Sequence, residues 1–397
     1  MGFAYRRALL AAWREPILRV PVLILESDDW GYGPEIQARW LDRLCALLAG
    51  FSDRGGRHPV MTLGVTLAGP DTARRRMSGC AHSHRIALAD PPLAPVRDAI
   101  VGGAGRGVFS IQLHGMEHYW PPSLMRAAQS DAHVRTWLTK SGFPATEDLP
   151  SPLQSRWMDA SALPSKPLRE ELIEQAVGEE VREFSRCFGA PPRVVVPPTF
   201  AWTADVQSAW AREGIEVVVS PGQRNDRRTE SGELLSEDAI HFNGARGLDG
   251  GTFVVRDDYF EPYRGHTHRD ALDRFASKTY LGRPTLFEIH RANFLGTTET
   301  AERAIVELRR LLETACRHYP TLRFMSTADL ADHIRRRSEL VDKHLRTRIH
   351  YLLRRLGAIS RLRKLAWITG AIAVAGLAFW LTRSEADGKA ALTLEQR

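Results

Sequence analysis

Residues 20–31 read VPVLILESDDWG, an apolar run that leads directly into two adjacent carboxylates, Asp28 and Asp29. Short runs rich in Val, Ile and Leu are typical of strands that are covered on both faces. A buried strand that ends in two carboxylates is costly unless a cation compensates their charge, and either a metal ion or an arginine can do so. The stretch therefore predicts a central strand with a functional site at its carboxyl end.

Seven further segments have the same strand-like character, and helical periodicity fills the intervals between them. The strand candidates are 59–67, 107–113, 193–197, 215–220, 252–255, 283–289 and 322–326. The helix candidates are 35–48, 168–188, 204–213, 269–280 and 300–319, with Thr203 and Thr298 as caps of the third and fifth. This alternation predicts an α/β fold, a distorted β/α barrel of seven to eight parallel strands, with an open doubly wound sheet as the alternative. Two stretches, 68–105 and 121–165, are expected to be insertions at the mouth of the site.

Histidines follow the third of these strands at the point where it ends. His114 comes directly after residues 107–113, and His118 lies four residues further on. The carboxyl ends of parallel strands meet at one edge, where such folds place their active sites. Two imidazoles and one carboxylate, that of Asp29, would hold a metal ion and leave positions open, as in catalytic sites. Such ligands suit zinc, and also iron, cobalt or nickel.

Four motifs occur in order along the chain: LILESDDWG, LHGMEHYWP, VVVPPTFAW and LFEIHRANF. Together they resemble the motifs of the polysaccharide deacetylase family, also called NodB-like or carbohydrate esterase family 4. The residues of these motifs most resemble those of a divergent branch of the family found among bacterial surface-polysaccharide genes. The resemblance extends over about Val20 to Leu330, which is most of the chain.

The resemblance implies a role for each matching residue. Asp28 would be the general base, Asp29, His114 and His118 would be the metal ligands, and His290 would be the general acid. A carboxylate should keep His290 protonated, and Asp257 or Asp258 in RDDYFEP is the expected source, with Asp258 taken as a catalytic residue. A backbone N–H near Thr199 or Phe200 would hold the developing oxyanion.

Two positions depart from the family pattern. Val196 stands where the family has an arginine before Pro-Pro, and Trp30 stands where a glycine usually follows the aspartates. Arg291 is a candidate to replace the missing arginine in space. Without such a replacement, the chain would be a catalytically silent glycan-binding or assembly protein on the same fold.

Aromatic residues next to the motifs are candidates for substrate contact. Trp120 and Trp202 lie beside the proposed site in the sequence, where they would stack on sugar rings, although core packing explains such aromatics equally well. With Thr199, Phe200 and Arg291 they complete the predicted substrate-binding set. No G-x-S-x-G elbow or P-loop is present, which disfavours serine hydrolases and nucleotide binding.

These features predict hydrolytic, metal-dependent N-deacetylation of an amino sugar in a polysaccharide or a lipid-linked glycan precursor. One divalent ion, zinc before cobalt, nickel or iron, is the expected cofactor, and an amino-sugar glycan is the expected partner. Deformylation, O-deacetylation and silent glycan binding remain alternatives. A membrane-surface scaffold is a further alternative, because of the charge in the C-terminal part of the chain.

The net charge of +7 arises in one segment. Residues 335–364 contain eleven Arg and Lys against Glu339 and Asp342, a surplus larger than that of the whole chain. An uncharged stretch of 17 residues follows at 365–381, and as a helix it would span about 25 Å. We expect a basic juxtamembrane helix, a single transmembrane helix and a short tail at 382–397, behind a catalytic domain at 1–334.

The positive flank predicts a catalytic domain that faces the cytoplasm at the inner membrane. No pattern of a nucleic-acid-binding module accompanies the basic residues, so no nucleic-acid partner is expected. Four cysteines without C-x-x-C spacing favour a reducing compartment and disfavour a cysteine-built zinc site. The first 20 residues do not have the pattern of a signal peptide.

Overall fold

The strand predicted from the opening stretch is present as Val22–Gly31, and all ten of its residues are buried. It belongs to a computed structural model that describes residues 2–77, 83–237 and 239–358. The predicted transmembrane segment 365–381, the tail 382–397 and the last part of the basic segment lie outside the described residues. Within the described ranges, no helix has the length and apolar character needed to cross a bilayer.

The described residues contain fifteen strands and thirteen α-helices. The strands are β1 (Val22–Gly31), β2 (Met61–Thr66), β3 (Ala68–Pro70), β4 (Arg85–Ala87), β5 (Phe109–Leu113), β6 (Met158–Asp159), β7 (Lys166–Pro167), β8 (Val194–Val195), β9 (Val217–Ser220), β10 (Asn225–Arg228), β11 (Leu234–Ser236), β12 (Thr252–Val255), β13 (Asp258–Tyr259), β14 (Thr285–His290) and β15 (Arg323–Phe324). The helices are α1 (Gly2–Arg14), α2 (Ile36–Ala49), α3 (Thr72–Met77), α4 (Ala94–Gly105), α5 (Pro121–Ser130), α6 (Ala132–Thr139), α7 (Glu170–Phe188), α8 (Ala204–Arg212), α9 (His268–Tyr280), α10 (Ala292–Leu295), α11 (Thr298–His318), α12 (Thr327–Arg335) and α13 (Leu345–Ala358).

Nine of the strands form one sheet with the order β12-β9-β8-β5-β2-β1-β14-β13, and β15 pairs with the start of β1. All pairings in this sheet are parallel. The remaining strands pair as three small sheets, β3 with β4, β6 with β7 and β10 with β11. The predicted α/β fold with a parallel sheet is therefore confirmed.

The two edge strands of the large sheet, β12 and β13, are almost continuous in the chain. Only Arg256 and Asp257 separate them. A link of this length spans at most about 11 Å, whereas eight strands side by side in a flat sheet would extend over roughly 34 Å. The sheet must therefore curl until its edges approach, as in a barrel, and the chain itself bridges the gap. This seam excludes the open doubly wound alternative.

Alternate residues of β1 belong to two different hydrophobic cores. Val22 and Ile24 pack in a cluster with side chains of other strands and of α12, whereas Leu23 and Leu25 pack in the larger cluster with the surrounding helices. Because strand side chains alternate between faces, the face that begins with Val22 and Ile24 continues to Asp28. The apolar interior thus changes into a charged one at the carboxyl end of the strand.

The element boundaries agree closely with the prediction, with two corrections. Thr203 caps α8 through a bond to the N–H of Val206, but the cap of α11 is Thr297 rather than Thr298. The segment 68–105 is more regular than expected, because α4 packs against α2 there. The second insertion, 121–165, contains α5 and α6 and does border the site described below.

The described part of the basic segment is docked on the domain rather than free. Arg355 of α13 is buried and donates to the carbonyl oxygens of Ala12, Glu15 and Pro16 near the end of α1. It also donates to the carbonyl oxygen of Leu281. These bonds satisfy carbonyl groups that the end of a helix and a turn leave without partners.

Candidate metal centre

The two aspartates of the first motif lie in an irregular part of β1. The pairing of β1 with β2 shifts in register between Ser27 and Trp30, and Asp29 has a left-handed backbone with φ 73°. Asp adopts this conformation more readily than most residues, but it is still strained. A bulge of this kind changes the direction in which a side chain points. It allows both adjacent carboxylates to line one cavity.

Asp29, His114 and His118 converge as the sequence predicted. Oδ1 of Asp29 lies 3.3 Å from Nε2 of His114 and 3.7 Å from Nε2 of His118. One ligand atom from each of the three residues lies within 4.8 Å of the others. Two ligand atoms about 2.05 Å from a tetrahedral ion would be about 3.3 Å apart, so the spacing suits a shared ion. The donor set fits zinc or a similar divalent metal.

Hydrogen bonding and protonation prepare the two imidazoles for this role. Nδ1 of His114 lies 2.8 Å from the carbonyl oxygen of Val196, to which it donates, so that Nε2 faces Asp29. Burial lowers the pKa of His118 to about 4, which keeps this ring neutral and its lone pair available. Burial alone would lower the pKa of His114 too, but the charges of Asp28 and Asp29 raise it.

Arg256 provides the positive charge that the third motif lacks. Its guanidinium is 1% exposed, and its Nη2 donates to Oδ2 of Asp28 at 2.6 Å. It also donates from Nη1 to Glu26 at 2.9 Å, and its Nε lies 3.1 Å from Glu288. The predicted substitute, Arg291, instead donates to the backbone oxygen of Tyr32 at 2.6 Å and does not line the cavity. The proposal for Arg291 was therefore wrong.

Asp28 keeps one carboxylate oxygen free. Its Oδ1 is buried and has no hydrogen-bond partner in the described part of the chain. A Cβ at position 64 would lie 2.3 Å from this oxygen, so the space that Asp28 occupies exists because residue 64 is glycine. Burial alone would raise the pKa of Asp28, but the charges of Arg256 and His114 outweigh burial and lower it. The free oxygen is therefore that of an ionised, proton-accepting group.

His290 is bonded to a different carboxylate from the one predicted. Its Nδ1 lies 2.5 Å from Oε1 of Glu261, and its Nε2 lies 3.4 Å from Oε1 of Glu288. Asp258 is instead paired with Arg274 and Lys278, both at 3.5 Å, so its assignment as the partner of His290 is corrected.

The surroundings of His290 keep it protonated near neutral pH. Burial alone would lower the pKa of His290, but the hydrogen bond that its Nδ1 donates to Glu261 and the charges of Asp29 and Glu288 raise it to about 10. Asn293 donates to Glu261 and thereby holds this carboxylate in place. The ring therefore carries a proton that it can donate.

A second carboxylate and histidine group, Asp28, Glu288 and His290, also has ligand atoms within 4.8 Å of one another. However, Arg256 already lies against both carboxylates of this group. Their negative charge is thus compensated by the protein itself. The group that contains Asp29 has no such arginine and is the better candidate for the metal.

A cavity of about 440 Å³ opens over these groups. Thr199 and Phe200 line it as predicted, but Trp120 and Trp202 do not. Trp202 is fully buried beside Trp210, and Trp120 faces a separate groove. Both tryptophans were proposed to stack on a sugar, and both belong to other parts of the molecule. The side chains that line the cavity are those of Asp28, Asp29, His114, His118, Thr146, Glu147, Ser151, Gln154, Pro197, Thr199, Phe200, Arg228, Leu234, Arg256, Tyr259, Tyr263, Arg264, Glu288, His290 and Ala292.

The turn after Pro198 has a strained backbone. Thr199 and Phe200 both have positive φ, at 54° and 51°. The N–H of Phe200 donates to the carbonyl oxygen of Pro197, so it is not free to bind an oxyanion. Of the two predicted donors, only the N–H of Thr199 remains a candidate. Such strain at non-glycine residues is frequent at functional sites.

Comparison with known proteins gives a remote likeness in fold. No family model and no curated protein matches the chain. Similar solved structures include a 4-alpha-glucanotransferase from Thermococcus litoralis (11% identity, 79% of this chain and 40% of that chain, TM-score 0.40). They also include a structure described as a polysaccharide deacetylase from Mycobacterium smegmatis (11% identity, 83% of this chain and 99% of that chain, TM-score 0.39). A third is a family 4 carbohydrate esterase from Streptomyces lividans (12% identity, 76% of this chain and 90% of that chain, TM-score 0.35). In its motifs and in the side chains that they bring together, the chain resembles polysaccharide deacetylases of the NodB-like family.

Proposed function

We propose that the protein is a metal-dependent hydrolase that removes the acetyl group from the nitrogen of an amino sugar in a polysaccharide or lipid-linked glycan precursor. One observation carries this proposal. A three-ligand metal group, an ionised aspartate with a free oxygen and a protonated histidine line the same cavity. These are the parts that hydrolysis of an amide needs: a place for a Lewis acid, a general base and a general acid.

Asp29, His114 and His118 would hold the metal, with zinc as the first choice and cobalt, nickel or iron as alternatives. When bound, the ion supplies Lewis-acid chemistry, because it acidifies water and polarises a carbonyl group. Asp29 sits in its strained conformation on β1, and the carbonyl oxygen of Val196 fixes His114. Both ligands are therefore held in position by the fold.

Asp28 and His290 would move the protons. Oδ1 of Asp28, which has no hydrogen-bond partner among the described residues, accepts a proton from the attacking water, while Arg256 holds Oδ2. His290 donates its Nε2 proton to the amine nitrogen as the carbon–nitrogen bond breaks, and Glu261 holds Nδ1. The N–H of Thr199 is the backbone group available to stabilise the oxyanion.

Release of free amine from N-acetylated sugar substrates tests the proposal. Zinc-loaded wild type should release amine, and Asp28→Asn and His114→Ala should each lower the rate by at least about 100-fold. His318→Ala removes an exposed histidine on α11 and should leave the rate unchanged. Equal rates for His114→Ala and wild type would reject the mechanism. Release of formate from an N-formylated sugar, or of acetate from an O-acetylated sugar, at a rate above that on the N-acetylated sugar would favour a deformylase or an O-deacetylase.

Silent glycan binding is a weaker candidate than the sequence suggested. Its motivation was the absent motif arginine at Val196, and Arg256 lies where such a cation is needed. The membrane tether and the cytoplasmic orientation remain proposals, because the segment that predicts them lies outside the described residues. Deleting residues 359–397 should release the protein from membranes and leave amine release from a water-soluble substrate intact.

A further inference from the structure

Two arginines other than Arg256 line the cavity. Arg228 ends β10, and Arg264 lies in the turn before α9. Both line the cavity together with Asp28 and His290. Neither takes part in the proposed proton transfers. Their charge therefore needs a separate explanation.

Arg228 is buried without an acidic partner. It is 3% exposed, and within the described ranges no carboxylate oxygen lies within 4.0 Å of it. Its Nε and Nη2 donate to Oγ of Ser155 at 3.2 and 3.1 Å. Its Nη1 donates to the carbonyl oxygen of Gly232 at 2.7 Å and to Oγ of Ser151 at 3.4 Å. All of these acceptors are neutral, and one Nη2 hydrogen has no acceptor among the described residues.

Three other buried arginines have carboxylate partners. Arg156 is paired with Glu117 and Glu180, Arg224 with Glu237 and Arg256 with Asp28, whereas Arg291, which does not line the cavity, donates to a backbone oxygen. Burying a guanidinium without a counter-charge is costly, and burial accordingly lowers the pKa of Arg228. The protein tolerates this cost at a position that faces the reaction cavity. An anion that enters with the substrate would remove the cost.

Arg264 extends the positive charge toward the entrance. It is exposed, its Nε donates to Oη of Tyr263 at 2.5 Å, and no ion pair joins it to an acidic group in the part of the chain that the structure describes. Glu147 is the exposed acidic residue of the cavity lining. The cavity lining therefore contains one buried arginine, one exposed arginine and one exposed carboxylate.

We propose that Arg228, assisted by Arg264, binds an anionic group of the substrate, a phosphate or a carboxylate attached to the amino sugar or to its neighbour. This rests on the proposed function, because it places the anion beside the reacting amide. A planar guanidinium held by serines presents a fixed donor to phosphate or carboxylate oxygens. The substrate class is then a charged glycan or glycan precursor rather than a neutral polymer such as chitin.

Equilibrium binding to the full-length, chelator-treated protein tests this separately from catalysis. The probes are N-acetylglucosamine 1-phosphate, UDP-N-acetylglucosamine, N-acetylmuramic acid and neutral N-acetylglucosamine. They present a phosphate monoester, a diphosphate diester, a carboxylate and no charge, so the preferred anionic probe identifies the source of the anion. The variants are Arg228→Gln, Arg264→Gln and the matched control Arg309→Gln, which removes an exposed charge on α11 outside the cavity.

Wild type and Arg309→Gln should bind at least one anionic probe about tenfold or more tightly than the neutral sugar, with a preference that weakens as salt rises. Arg228→Gln should lose most of this preference and still bind the neutral sugar. Arg228 also donates hydrogen bonds to Ser155 and Gly232, so the variant loses structural contacts as well as charge. Circular dichroism should therefore show that Arg228→Gln is folded. Arg264→Gln, at an exposed position, should reduce the preference by roughly twofold to tenfold.

Two results would overturn the subsite: an anionic preference unchanged in both cavity variants, or no preference for any anionic probe in wild type. Loss of amine release by the wild type, with the anionic preference intact, would instead reject the hydrolase and leave the anion-binding observation standing. The two failures are therefore distinguishable.

Discussion

Nη2 of Arg256 donates to Oδ2 of Asp28 across 2.6 Å, although the two residues are 228 positions apart in the chain. The same guanidinium contacts Glu26 and Glu288, so one cation serves three buried carboxylates. The carboxylates at the end of β1 need a cation, and an arginine fills this role at Asp28. Asp29 would instead be compensated by the proposed metal ion.

Replacing Arg256 with Met should destabilise the fold and raise the pKa of Asp28. Removing one partner of a buried ion pair costs about 3–5 kcal/mol, because the other charges stay buried without compensation. Urea unfolding measures the loss of stability, and the acid limb of the rate profile of any folded fraction reports Asp28. Arg97→Met, at a surface pair with Asp98, is the control and should change stability by less than about 1 kcal/mol. An unfolding midpoint equal to that of wild type would show that Arg256 is not needed to balance these carboxylates.

Gly64→Ala should impair catalysis and leave metal binding largely intact. The added methyl would lie 2.3 Å from Oδ1 of Asp28, so the carboxylate must move away from its present position. Displacement of a general base costs about 100-fold in rate. Steady-state kinetics and zinc content are the measurements. Gly105→Ala, where a Cβ meets no atom within 4 Å, should behave like wild type. A Gly64→Ala enzyme with the wild-type rate would contradict the role of Asp28.

Glu261→Gln should lower the pKa of His290 from about 10, because the hydrogen bond that His290 donates to Glu261 is the largest of the effects that raise it. If protonated His290 is the acid, the alkaline loss of activity should move to lower pH in this variant. NMR titration of the imidazole and the pH–rate profile measure both changes.

Asp258→Asn is the matched control for this change, since Asp258 is paired with Arg274 and Lys278. It should leave the titration of His290 in place. The raised pKa of His290 also means that protonation of this ring stabilises the folded state. This contribution to the free energy of unfolding is fully present below about pH 6.5 and is lost as pH rises through about 10. If the pKa of His290 fell further in Asp258→Asn than in Glu261→Gln, Asp258 would be the partner of His290, as the sequence predicted.

Zinc affinity should fall as pH falls, and binding should release protons. Because the pKa of His114 is raised, a proton held on this ring must leave before the ring can bind metal, whereas His118 is neutral above about pH 4. Calorimetry in two buffers with different ionisation enthalpies counts the protons. His118→Ala should lower the affinity by at least about 100-fold, and His318→Ala should not change it. Tight binding that is independent of pH between 5 and 8 would exclude His114 as a ligand.

The sequence predicted the parts of the site that depend on local position. Asp29, His114 and His118 each stand at or just beyond the end of an apolar run, and parallel strands bring such ends together. The fold was predictable for the same reason, because strands covered on both faces are continuous apolar segments. The irregular backbone of β1 at Asp29 could not be read from that pattern.

The missed residues depend on contacts between distant segments. Arg256 and Glu261 both lie in RDDYFEP, the segment in which the partner of His290 was sought, but the sequence does not show which of its charged residues turn inward. Arg256 enters the barrel at the seam, and Glu261 follows β13. Trp120 and Trp202 were chosen for their closeness to motifs, and burial in the packing of neighbouring helices decided their position instead.

The two-residue seam between β12 and β13 has a consequence for evolution and for design. Lengthening a surface turn is usually tolerated, but Arg256 is itself half of this connection. One inserted residue would move the guanidinium along the chain and reverse the side to which it points, while both flanking strands kept their partners. The pKa of Asp28 therefore depends on the number of residues that connect β12 and β13. We expect related proteins to vary in the length of nearly every other loop before they vary in this connection.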